Sequence, residues 1–95
     1  MEAYAIISAM GPTYFWFQWE ILEKLGLAFG LTKDDLNETL PKMLNGAVKT
    51  LYESGLSQAE VLDLIPVKPI KEHENAIGEI FEGTLSPLFQ KLSSR

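Results

Sequence analysis

Ninety-five residues with a formal net charge of -5 and no cysteine bound the chain to one domain, 1–95, whose core is small. The charge balance argues against binding a phosphate backbone, which needs clustered Lys and Arg to displace counterions. Without cysteine there are no disulfide staples, thiolate zinc sites or cysteine nucleophiles, and the cytoplasm is the default compartment.

The first element, Ala3 to Met10, is short and apolar and reads as one or two helical turns or an extended arm, between which periodicity does not decide. The stretch from Ala3 to Trp19 carries no charge. It is nevertheless a poor membrane span or secretory signal, because Gly11-Pro12 interrupts it and Glu2 stands where a basic n-region would. Pro12 suits the first turn of a helix, where its missing N–H has no intrahelical partner, so a helix is predicted from there to Phe29. Gly30 is placed to cap it in the left-handed conformation.

Thr32, the acidic pair Asp34-Asp35 and the spacing between Thr32 and Asp35 announce a second helix towards Ser54, stopped by Gly55. Pro41 lies inside it, which predicts a kink near Leu40 or a complete break. Ser57 and Glu60 form a capping-box pattern for a short third helix through Leu64, and Pro66 to Pro69 must be extended. Ile77, Ile80 and Phe81 place a fourth helix over 72–82, closed by Gly83. Ser86-Pro87 then opens a last short helix whose Ser93-Ser94-Arg95 end frays. No segment alternates with period two, and the predicted class is all-α with about five helices.

Tyr14, Phe15, Trp16, Phe17 and Trp19 fall within six residues, and at 100° per residue they point to every side of a helix. The remaining helices of so short a chain can cover two of its faces but scarcely three, so these five residues are read as a subunit interface, with ordinary monomer core as the other reading. An isologous two-fold dimer is the expected symmetry.

Gly11-Pro12-Thr13-Tyr14-Phe15, Glu20 six residues after Tyr14, and Gly30-Leu31 ten residues later resemble the C-terminal domain of the pyrroline-5-carboxylate reductases. That family reads Gly-Pro-Ala-Tyr-Phe, then a Glu, then Lys-Leu-Gly-Leu. Gly46-Ala47-Val48-Lys49 and Leu51-Tyr52-Glu53-Ser54-Gly55 are similar to its Gly-Ala-Ala-Lys and Leu-Leu-Glu-Ser-Gly, and Ala59, Glu60 and Asp63 fit as well. The likeness covers roughly residues 3–65 by motif and the rest by helix order. It rests on joint spacing, since no single string is specific.

The resemblance implies an intertwined helical dimerisation domain of the 6-phosphogluconate-dehydrogenase-like type, in which Gly11, Pro12, Glu20 and Gly30 are structural. Glu20 would bond backbone or hydroxyl groups near the Gly-Pro turn. It implies a homodimer and an upstream dinucleotide-binding domain carrying NAD(P)H, with proline made by hydride transfer to an imine. The Gly-rich strand-to-helix turn that cradles a dinucleotide is not in these residues, so no cofactor is assigned to the chain itself and it is not catalytic alone. A stand-alone helical interaction module is the alternative.

Where the family holds its substrate with Ser-Pro-Gly-Gly-Thr-Thr, this chain has Val67-Lys68-Pro69-Ile70-Lys71-Glu72-His73. Paired glycines and a threonine are replaced by bulk and charge, so Lys68, Pro69, Lys71 and Glu72 are only candidate substrate contacts, with solvated lysines as the competing reading. His73 alone, without Cys or a second His, does not supply a zinc site. Glu20 and Glu23 lie one turn apart as a possible acid/base pair, or else meet Lys24 and Lys49. A single histidine without a candidate nucleophile elbow makes no hydrolytic triad, and no catalytic or metal residue is assigned.

Overall fold

A computed structural model describes residues 1–94 as helices joined by short loops, with no strand among them. The all-α class follows. Five α-helices are present among these residues: α1 Glu2–Tyr4, α2 Trp16–Ala28, α3 Lys33–Glu53, α4 Gln58–Asp63 and α5 Glu74–Ser93. They divide into two compact units, one made of residues 1–15 and 67–95, the other of 16–66.

In the first unit α1 continues into a π-helical turn, Ala5–Ala9, closed by the Met10 amide on the Ala5 carbonyl at 2.9 Å. The apolar N-terminal stretch is therefore helical rather than an extended arm. The Gly11–Tyr14 segment follows as a 3-10 helix with Pro12 in its first turn. Its start is held by the Thr13 amide and hydroxyl, both donating to the Met10 carbonyl at 3.0 and 2.6 Å.

The predicted helix from Pro12 to Phe29 is thus split. Phe15, at φ -118°, is stretched away from the ideal helical φ while keeping a helical ψ, and α2 begins only at Trp16. The physical reason is tertiary. The Tyr14 hydroxyl donates to the Ile6 carbonyl at 2.5 Å, and its ring meets Phe81 edge-on, centroids 5.9 Å apart. Phe15 lies 6.3 Å from the same ring. These contacts hold the Gly-Pro turn in its tighter geometry, and Ile6 beneath it is 4% exposed.

The predicted stop at Gly83 and restart at Ser86-Pro87 do not occur, because α5 runs unbroken through both. Its half-buried residues explain why: Gly78, Phe81, Leu85, Leu88 and Leu92 recur at helical spacing across the expected gap, so one helix keeps a single apolar stripe in phase. Pro87 costs the backbone bond to the Gly83 carbonyl. Ser93 is helical and Ser94 caps the end; Arg95 lies outside the described residues.

The second unit is a helical hairpin plus α4. Gly30 at φ 102° ends α2 in a Schellman motif: its amide donates to the Leu27 carbonyl at 3.1 Å, and the Leu31 amide to the Gly26 carbonyl at 3.0 Å. Thr32 then caps α3 by accepting from the Asp35 amide at 3.1 Å, while the Asp35 carboxylate accepts from the Thr32 amide. The helix passes through Pro41 without the complete break allowed by the sequence.

The most buried contact of the hairpin is a single leucine on a glycine. Leu36, 3% exposed, seats against Gly26, where an added Cβ would come within 2.5 Å of the Leu36 Cδ2 atom. A glycine there lets Leu36 keep this position, and a Cβ would force the leucine side chain to shift.

The capping box on α4 has both arms, the Glu60 amide to Ser57 Oγ at 3.2 Å and the Ser57 amide to Glu60 Oε1 at 2.9 Å. The backbone bond from Ser57, followed by its hydroxyl, holds the Glu60 carboxyl below the usual carboxylate range. A lowered folded-state value means that the cap stabilises above the unfolded carboxyl pKa, about 4.3, and that this contribution is lost as pH falls through the folded value. Following the Ser57 amide shift by NMR should show that transition, and Glu60→Gln should abolish it. A Ser57 shift that titrates unchanged in the Gln variant would refute the assignment.

Candidate functional site

Helix α2 carries the surface that the sequence singles out. At 100° per residue, Trp19, Glu23 and Gly26 lie on its inner side towards α3, and all three are buried or half-buried. Phe17, Ile21 and Leu25 occupy the opposite side at i, i+4, i+8, exposed by 57%, 50% and 45%. Lys24, seven residues after Phe17, borders that stripe on one side, and beside it three large apolar side chains stand together in water.

Trp16, itself 61% exposed, lines with Trp19, Glu20 and Glu23 an open groove of ≈ 450 Å³ between α2 and α3. Leu36, Leu40 and Leu44 of α3, spaced four apart, line it from the other side. The five aromatic positions thus separate into three environments. Tyr14 and Phe15 pack on Phe81, Trp16 and Trp19 line the groove, and Phe17 belongs to the outer stripe. Ile21 and Leu25 were absent from the sequence reading, although their i+4 and i+8 offsets from Phe17 were the signal that could have found them.

Glu20 and Glu23 are not an isolated pair. The Glu20 carboxylate meets Lys24 Nζ at 3.5 Å along the helix, one of the partners its sequence position offers. Glu23, less exposed, is paired with Lys33 at the start of α3. Both pairings are charge satisfaction beside a groove, and neither presents a donor and acceptor poised across a substrate.

The loop at 67–73 is closed by local turns. The Lys71 amide donates to the Lys68 carbonyl at 3.0 Å and the His73 amide to the Ile70 carbonyl at 2.8 Å, which makes 71–73 a short 3-10 turn leading into α5. Lys71 Nζ lies 3.8 Å from the Glu74 carboxylate, and His73 Nε2 lies 3.4 Å from that of Glu72. Lys68 is half-buried, while Pro69, Lys71 and Glu72 are exposed. The four candidate substrate contacts are therefore neighbours on one loop, with Lys71 engaged by the first residue of α5. Among the described residues no group of three or more His, Asp or Glu is gathered as for a metal ion, and no helix is long and apolar enough to cross a membrane.

Comparison with known proteins gives no match: no family model, no curated protein and no solved structure is significantly similar to the chain.

Proposed function

We propose that this chain is a homodimerising helical domain of a pyrroline-5-carboxylate reductase-like oxidoreductase, without catalytic activity of its own. The observation that carries the dimer is the apolar outer stripe of α2, Phe17, Ile21 and Leu25, exposed on a helix whose inner side already packs on α3. A second copy covers such a stripe with its own, the two-fold axis passing near Ile21. The hydrocarbon each subunit then removes from water drives the association.

The reductase part of the reading is supported by the spaced motifs at 11–15, 46–49 and 51–55. In that reading an upstream dinucleotide-binding domain brings NAD(P)H, the whole enzyme works in the cytoplasm in proline biosynthesis, and Lys68, Pro69, Lys71 and Glu72 stand at the substrate loop. The altered loop favours a second reading, a stand-alone helical interaction module that uses the same dimer. Sedimentation equilibrium tests the dimer: twice the chain mass at micromolar concentration is expected, and a monomer there would overturn it. A Gly-x-Gly-x-x-Gly strand-to-helix unit encoded directly upstream would decide for the reductase, and its absence for the module.

A further inference from the structure

We propose that the groove between α2 and α3 binds an organic ammonium ion with an apolar body, a ligand class outside the reductase reading. Two indoles, Trp16 and Trp19, share the groove with two carboxylates, Glu20 and Glu23, and with the aliphatic side chains of Leu40 and Leu44. Indole faces attract a cation through the ring quadrupole, carboxylates through charge, and the leucines take up hydrocarbon. No Lys or Arg lines the groove. Its ≈ 450 Å³ falls within the range of small-molecule sites, roughly 300–1,000 Å³.

Charge distribution points the same way. Residues 16–66 hold eight Asp and Glu against four Lys, whereas the rest of the chain is nearly balanced, so the field around this unit draws in cations. Both groove carboxylates already hold an ammonium group from outside the lining, Glu20 that of Lys24 and Glu23 that of Lys33. They are thus placed where ammonium groups reach them. An incoming cation exchanges with these tethered lysines, which therefore act as built-in competitors. The outer stripe proposed for the dimer lies on another side of α2, so the site remains open when two copies associate there.

Intrinsic tryptophan fluorescence of the full chain, titrated with choline and in parallel with 3,3-dimethylbutan-1-ol, its uncharged carbon counterpart of similar shape, tests the site. Choline is expected to bind at least about tenfold more tightly than the alcohol, the ratio that cation–π and carboxylate attraction together predict. Lys33→Met should strengthen choline binding by releasing Glu23. Trp16→Phe should weaken it while the circular dichroism of the helices stays unchanged. Equal responses to choline and the alcohol, no saturable response to either, or choline binding weakened by Lys33→Met would each overturn the proposal. Sedimentation of the same samples reports the dimer separately, so loss of one property is distinguishable from loss of the other.

Discussion

Replacing Leu36 with alanine is expected to destabilise the chain by about 2–5 kcal/mol, the range for emptying a well-packed leucine site. Leu36 is one of two buried hydrophobic residues among those described, the other being Ile6, and it packs between α2 and α3. The cavity cannot be filled from α2, because the residue opposite is Gly26. Filling it by design gives a sharper form of the test. Gly26→Ala alone gains about 1 kcal/mol of helix propensity but forces Leu36 aside, at about 1–3 kcal/mol for overpacking, so a net loss is expected. In the double variant Gly26→Ala with Leu36→Ala, one methyl group faces another, and the helix gain returns without the clash. Urea denaturation of the four proteins measures the cycle. A Leu36→Ala loss below about 1 kcal/mol, or strictly additive single changes, would show that the hairpin closes elsewhere.

Substituting Phe17 and Ile21 together by alanine should weaken the proposed dimer by about 10²–10⁴-fold, since fully burying each side chain is worth about 1.5–3 kcal/mol. The effect belongs to association and not to the hairpin, because both residues point away from α3. The expected signature is a change of sedimenting mass with retained helical circular dichroism at high protein concentration. It should be accompanied by loss of the concentration dependence of Tm that an associating protein shows. The same change at Trp16 should affect association less, as that residue faces the groove. If the double variant sediments as the parent does, the outer stripe is not the interface.

Several local features were legible because their signals are short-range. Thr32 with Asp35 and Ser57 with Glu60 each need only a three-residue spacing, and both boxes form with the reciprocal bonds expected. Gly30 closes α2 because the left-handed turn there favours a residue without Cβ. In the candidate site, the partnering of Glu20 with Lys24 is also readable from helical periodicity. Which aromatic ring meets which neighbour was not, since Phe81 lies 67 positions beyond Tyr14 and nothing local at either residue specifies the other.

The two misplaced boundaries share that origin. Pro12 is compatible with either an α-helical or a 3-10 first turn, and the choice falls to Tyr14 and Phe15 through their contacts with Ile6 and Phe81. Gly83 and Pro87 are strong local stop signals, yet the stripe from Phe81 through Leu92 gives more when kept in one helix than the lost bond removes.

What the amino-acid order by itself determined is the helical class, the caps at Thr32, Gly30 and Ser57, and a helix after Pro12 dense in aromatic groups, all consequences of backbone geometry and neighbour spacing. Only the tertiary structure decided that the aromatic groups divide among an intramolecular cluster, a groove and an outer stripe, and that Gly26 is the seat of Leu36. Such choices depend on surfaces brought together from distant parts of the chain, and their energy exists only once those surfaces meet.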